Sequence, residues 1–243
     1  MECILLAAGY ATRLYPLTEN KPKALLTMGS KTILDWVVEK IEKIDEINNI
    51  YIVTNHRFAD QFEEWAKNYK GSKKAVILDD GTTNNDNRLG AIGDMKYVID
   101  HEKIDDEIFV LASDNIFDFE LTDMMDLYRD KDADVISAHY IEDLTTLQSM
   151  GVVELGNDNQ VVGFVEKPKE PKSHYGAPPF YIYRKETLPL IDRYLEEGNN
   201  PDAPGHFIPW LITKTAVYAY TFDVMTIDIG TPKSYYEAQK LFE

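Results

Sequence analysis

An apolar run that stops at a glycine constrains this chain more than any other feature. Cys3-Ile4-Leu5-Leu6-Ala7 reads as a buried strand, and at Ala8 and Gly9 the side chains nearly vanish. Small residues at a strand end let a flat ligand lie against the backbone and let N–H groups point at anionic oxygens. Thr12 and Arg13 follow at once, then Lys21 and Lys23. The chain holds 25 basic against 42 acidic residues, a net charge of −17, so cations gathered this closely beside a glycine turn predict a phosphate site. The same residues also fit a plain strand–turn connection with surface cations, because short glycine-containing patterns match by accident.

Downstream, strand-like and helix-like stretches alternate, the pattern of a parallel sheet with helices on both faces. Ile33, Leu34, Val37, Val38, Ile41 and Ile44 recur at helical spacing, as do Phe58, Phe62, Trp65, Ala66 and Tyr69. Residues 49–53, 75–78 and 107–112 read as strands, the last nearly all apolar as a central parallel strand should be. Each strand ends in polar residues: Thr54-Asn55-His56, Asp79-Asp80-Gly81 and Ser113-Asp114-Asn115. In an open parallel sheet those ends share one edge, where ligands bind, so cations and carboxylates far apart in sequence should converge there. The polar stretch 80–92 contains Asn84, Asn87 and Gly90 before it turns helical. On its residues alone it reads as a flexible surface loop that leads into a helix.

Beyond Val135 the character changes. Residues 137–140, 152–155 and 160–165 look like strands with a turn at 156–159, and two of them should form an antiparallel hairpin. Residues 180–183 and 217–222 are further strands, and Leu188, Ile191 and Leu195 mark a helix. Asp228-Ile-Gly-Thr-Pro232 opens the last helix, with Thr231 as cap and Pro232 in the first helical position.

The acidic balance argues against a nucleic-acid or membrane-surface role, which needs a basic face to replace counterions. The single cysteine, Cys3, permits no disulfide framework and fits a reducing compartment. The chain shows no signal-like start and no apolar run of about 18 residues. These features predict a soluble cytoplasmic protein with no membrane and no nucleic-acid partner, and they leave a homo-oligomer open.

Several motifs occur in a telling order. Leu6-Ala7-Ala8-Gly9-Tyr10-Ala11-Thr12-Arg13-Leu14-Tyr15-Pro16-Leu17-Thr18 precedes Lys21-Pro22-Lys23. Then come Ser113-Asp114-Asn115, Met150-Gly151-Val152-Val153, Glu166-Lys167-Pro168 and Asp228-Ile229-Gly230-Thr231. This series resembles the signature of the sugar-phosphate nucleotidyltransferases, which include glucose-1-phosphate thymidylyl- and uridylyltransferases and mannose-1-phosphate guanylyltransferases. The resemblance implies a Rossmann-like α/β/α sandwich with a mostly parallel sheet and a small antiparallel subregion over the pocket. It implies one domain over residues 1–243, with 1–135 mainly for the nucleotide and 136–243 mainly for the sugar phosphate. The activity implied is transfer of a nucleoside monophosphate from an NTP to a sugar 1-phosphate.

By the same resemblance Arg13 and Lys23 are catalytic. Leu6, Ala7, Ala8, Gly9, Thr12, Arg13, Asn84, Asn87 and Gly90 bind the nucleotide. Gly151, Glu166, Lys167 and Tyr181 bind the sugar phosphate, and Asp114 and Asp228 hold Mg²⁺. The chain departs from the pattern at Ala11, Ser113 and Pro179, where the family commonly has glycine. Ala11 narrows the backbone angles beside the triphosphate, and Ser113 is tolerable unless positive φ is needed. The left-handed β-helix of longer relatives, with its acetyltransferase activity, is not expected. Three other readings stay open: a cytidylyltransferase acting on phosphocholine, a glycosyltransferase, and a regulatory nucleotide-sugar-binding homologue. A glycosyltransferase would want an Asp-x-Asp metal motif, which Ser113-Asp114-Asn115 lacks.

Overall fold

The computed structural model describes residues 1–223 and 226–242, and of residues 226–228 the backbone alone. In chain order its strands are β1 (Glu2–Leu6), β2 (Thr27–Met28), β3 (Lys31–Thr32), β4 (Asn49–Thr54), β5 (Lys74–Asp79), β6 (Ile108–Ala112), β7 (Asn115–Phe117), β8 (Asp134–Tyr140), β9 (Gly151–Leu155), β10 (Val161–Glu166), β11 (Tyr175–Ala177), β12 (Phe180–Tyr183), β13 (Val217–Phe222) and β14 (Thr226–Asp228). The helices are α1 (Ile33–Ile41), α2 (Ala59–Asn68), α3 (Ala91–Glu102), α4 (Leu121–Lys131), α5 (Leu144–Leu147), α6 (Leu188–Glu196), α7 (Phe207–Leu211) and α8 (Pro232–Gln239). None of the described helices is long and apolar enough to cross a membrane.

Two compact bodies interleave along the chain. The first contains residues 2–88, 112–121 and 225–243, and the second contains residue 1, 89–111 and 122–224. The chain passes between them several times.

In the first body β1, β4 and β5 are parallel, from Cys3↔Ile50 to Leu6↔Val53 and from Asn49↔Lys74 to Thr54↔Asp79. Cys3, Ile4 and Leu5 are fully buried, which explains why β1 shows no alternation of polar and apolar residues. Helix α1 begins at a capping box: Thr32 accepts from the Asp35 N–H, and the Asp35 carboxylate accepts from the Thr32 N–H. It buries Ile33, Leu34, Val37, Val38 and Ile41, the residues whose spacing marks it in the sequence. Strands β7 and β14 pair antiparallel, Thr226↔Phe117 to Asp228↔Asn115. Asp228 therefore ends a short strand of its own and not the preceding strand, β13. Thr231 caps α8 and Pro232 occupies its first turn, as the sequence predicts. Ile116, Ile229, Tyr235 and Ala238 share a core with Leu14, Leu26, Met28 and Ile33, so segments far apart in sequence anchor this body.

In the second body β8 pairs antiparallel with β11 and β12 and parallel with β13. The expected hairpin is β9–β10, with Val165↔Val152 and Glu166↔Gly151 in register. Here β6 pairs antiparallel with β12, Phe180↔Leu111, and it lies inside the sheet with Ile108, Phe109, Val110 and Leu111 buried, as its apolar composition reads. Helix α4 escapes the sequence reading because Leu121, Met124 and Met125 stand among charged residues, and they become a legible face only when buried.

Candidate active site

The first body positions the opening loop by bolting it to the ends of its strands. The Ala7 N–H donates to the Val53 carbonyl at 2.9 Å, and Asn55 Nδ2 donates to the Ala8 carbonyl at 2.9 Å. Ser113 Oγ and the Ser113 N–H donate to the Leu6 carbonyl at 2.8 and 3.2 Å. Ser113 is absent from the residues with positive φ, so the serine fits and adds a tie that glycine could not make. Ala7 and Ala8 are buried, Gly9 is exposed, and no heavy atom lies within 4 Å of a Cβ built on Gly9. The loop thus offers bare backbone at Gly9 on an otherwise immobilised support.

Ala11 adopts φ 46° and ψ 41°, the left-handed region that glycine enters without cost. The surroundings hold it there: its carbonyl accepts from Thr18 Oγ1 at 2.8 Å and from the Leu14 N–H at 3.0 Å. Beyond it Thr12 and Arg13 sit exposed on a 3₁₀ turn. Lys23 lies on a second such turn, and its ammonium reaches Asp114 Oδ2 at 3.0 Å. The cation beside the glycine loop and the strand-end carboxylate therefore meet, as the shared edge requires. The side chain of Asp228 lies outside the described residues; its backbone pairs with Asn115, the neighbour of Asp114.

The asparagines of the 80–90 loop build the loop itself. The Asn87 side-chain oxygen accepts from the N–H groups of Thr83 and Asn84, both at 3.1 Å. The Asn84 side-chain oxygen accepts from those of Asp86 and Asn87 at 2.8 and 3.3 Å. The bond from Asp86 to Asn84 is an Asx turn, in which a side chain mimics backbone.

In the second body Gly90 has φ 78°, and a Cβ there would stand 2.9 Å from the Cα of Asp202. The close approach at Gly90 is made by the 198–206 loop, whose Asp202 and Pro201 carbonyls accept from the Ala91 and Ile92 N–H groups. That loop also reaches the acceptor-side motif. A Cβ on Gly205 would collide with the Glu166 carboxylate, and one on Gly151 would collide with the Phe164 ring and stand 3.3 Å from Glu166 Oε2. Two glycines thus make the room in which the Glu166 carboxylate sits. The sequence reading includes Gly151 but misses Gly205, whose signal is its place in a long Asn-Pro-Asp-Ala-Pro-Gly loop.

Lys167 adopts φ 49°, its N–H donates to the Met150 carbonyl at 3.1 Å, and its ammonium lies 3.7 Å from Glu166 Oε1. A left-handed lysine next to a nearly buried glutamate is a strained arrangement, of the kind found where a site needs a fixed geometry. Tyr181 is buried in the sheet and stacks on Tyr183 at 5.8 Å between centroids. Burial pushes its hydroxyl pKa well up, and the charge of Glu166 adds to the effect. It supports the site from within the core.

Among the described residues no three His, Cys, Asp or Glu side chains gather as a metal cluster. The Asp114 carboxylate is a hard oxygen donor of the kind Mg²⁺ takes, partly open to solvent and paired here with Lys23.

A doubly anchored glycine loop at the end of a parallel strand, with a cation–carboxylate pair at a neighbouring strand end, belongs to an α/β protein of Rossmann-like fold. The fold is shared with a UDP-glucose pyrophosphorylase solved with UDP-glucose, at a TM-score of 0.82 and 18% identity over 99% of this chain and 97% of that one. The nucleotidyl transferase family model matches residues 2–243, and the chain belongs to that family. A protein of Sulfolobus acidocaldarius assigned as a mannose-1-phosphate guanyltransferase is 27% identical over 97% of this chain and 61% of its own length. The bifunctional protein GlmU of Methanocaldococcus jannaschii is 28% identical over 99% of this chain and 54% of its own. The chain thus spans little more than half the length of these curated relatives.

Proposed function

We propose that this chain transfers a nucleoside monophosphate from an NTP to a sugar 1-phosphate, giving an NDP-sugar and pyrophosphate. The observation that carries the reading is the Lys23–Asp114 pair, 3.0 Å apart, at the strand end whose Ser113 is hydrogen-bonded to Leu6 ahead of the bare backbone of Gly9. Family membership supports it. In this reading a sugar phosphate oxygen attacks the α-phosphorus in line and pyrophosphate leaves, with no protein nucleophile. Catalysis is then positioning and charge stabilisation. Residues 1–135 serve mainly the nucleotide and residues 136–243 mainly the sugar phosphate.

Within this reading the N–H groups around Ala8 and Gly9 receive phosphate oxygens, and Arg13 and Lys23 neutralise the triphosphate and the departing pyrophosphate. Glu166 accepts hydrogen bonds from sugar hydroxyls, and Lys167 pairs with the sugar phosphate. Asp114, with Asp228, holds Mg²⁺, whose chemistry when bound is to neutralise phosphate charge and polarise the α-phosphorus. The setting proposed is the cytoplasm.

Burial of the aromatics bears on the phosphocholine reading. Of the five aromatics that could form a cage, Phe164, Phe180, Tyr181 and Tyr183 are buried and Tyr175 is half-buried, whereas a quaternary ammonium needs several accessible ring faces. The test is pyrophosphate release by the purified protein over the five common NTPs crossed with a set of sugar 1-phosphates and phosphocholine. Turnover of at least one hexose 1-phosphate is expected. Turnover of phosphocholine alone, or of nothing, would overturn the proposal.

A further inference from the structure

We propose that Lys23 is a built-in counter-cation that keeps a divalent metal off Asp114 until a nucleotide arrives. The inference rests on the reading of Asp114 as a metal-holding carboxylate given above. Three observations carry it. The Lys23 ammonium stands 3.0 Å from Asp114 Oδ2, a direct ion pair. The lysine side chain is 11% exposed while that of Asp114 is 34% exposed, so the carboxylate is open to solvent and the cation is held in place. Its backbone is fixed as well: Pro22, Ala24 and Leu25 are buried, and the Lys23 carbonyl accepts from the Leu26 N–H at 3.0 Å. A lysine so constrained loses little rotamer freedom in forming the pair, unlike a surface lysine.

The third observation concerns the donor set. Among the described residues no group of three His, Cys, Asp or Glu side chains could hold a metal without help. Mg²⁺ binds through one or two carboxylates and takes its other ligands from phosphates and water. A metal without nucleotide would have to approach a carboxylate already paired with Lys23, against the repulsion of that ammonium. A triphosphate changes both terms. It brings its own oxygens, and it offers Lys23 a more highly charged partner than one carboxylate. The lysine then moves its pairing from Asp114 to phosphate as the metal takes its place, and local charge stays balanced. Metal and nucleotide accordingly bind together, and the free protein is spared a tightly held ion that would trap product pyrophosphate.

The test reads binding of Mn²⁺, used as the probe, by the loss of the free-ion electron paramagnetic resonance signal in the absence of nucleotide. Wild type should bind Mn²⁺ weakly. Lys23→Gln should bind it at least tenfold more tightly, Lys23→Arg no more tightly than wild type, and Lys23→Gln with Asp114→Asn as weakly as wild type. Lys23→Met replaces Lys23→Gln if thermal unfolding shows the latter misfolded. Unchanged or weaker Mn²⁺ binding after neutralising Lys23, or a gain that survives loss of Asp114, would overturn the proposal. A failure of the functional reading itself would be seen separately, as absence of pyrophosphate release from every substrate pair.

Discussion

Replacing Gly9 with alanine separates a glycine kept for a ligand from one kept for the fold. No heavy atom lies within 4 Å of a Cβ at this position, and Gly9 is not among the residues with positive φ. Alanine therefore meets no collision and no backbone strain. Fewer unfolded conformations should stabilise the variant by about 0.4–1 kcal/mol. For a chain of this size that is a rise in Tm of roughly 1–4 °C. The same methyl occupies the space through which a phosphate would reach the backbone N–H groups. Losing one hydrogen bond to a charged group costs about 1.5–3 kcal/mol, and a misplacement of about 1 Å can cost 10²-fold. The expected outcome is kcat/KM for the NTP reduced by about 10–100-fold in a protein at least as stable as wild type. Thermal unfolding followed by circular dichroism, with initial rates of pyrophosphate release at varied NTP, measures both. A lowered Tm, or an NTP kcat/KM within about twofold of wild type, would refute the reasoning that the bare backbone serves phosphate.

Other substitutions probe the remaining parts. Asp114→Asn, nearly isosteric at a strand end, should leave the fold intact and lower turnover by at least about 10²-fold; near-normal rates would contradict the metal role. Glu166→Gln keeps an acceptor oxygen and should retain clearly more activity on a hexose 1-phosphate than Glu166→Ala, which should lose about 1–3 kcal/mol of acceptor interaction; equal losses would point to the charge alone. Gly151→Ala drives a methyl into the buried Phe164 ring, so overpacking should cost about 1–3 kcal/mol in chemical unfolding, and the KM for sugar phosphate should rise more than that for NTP. Asp134 is fully buried, and desolvation pushes its pKa from 3.8 to about 6. Between those values the folded state alone holds the proton, so this contribution to stability is lost as pH rises through about 6. The Tm advantage of wild type over Asp134→Asn should therefore shrink between about pH 4.5 and 7.5, and an advantage that grew would show the pKa is not raised.

What the sequence determined by itself is everything carried by short-range physics. The apolar run into Ala8-Gly9 is a strand feeding a small-residue turn, and the structure places β1 and its loop there. The spacing of Ile33, Leu34, Val37, Val38 and Ile41 is a helical period, and Thr231-Pro232 is a helix start by capping chemistry. Each of these is settled within a few residues. The tertiary structure alone decided which distant segments meet. It brought Lys23 to Asp114, paired Asp228 with Asn115, set the 201–202 backbone against Gly90, and laid Gly205 on Glu166. It also engaged the Asn84 and Asn87 oxygens with N–H groups of their own loop and held Ala11 in a left-handed conformation that its side chain disfavours. No local propensity encodes such meetings. They follow from burying the faces of β1, β4, β5 and β8–β13, and packing fixes them to a fraction of an ångström because a close-packed interior tolerates few alternatives.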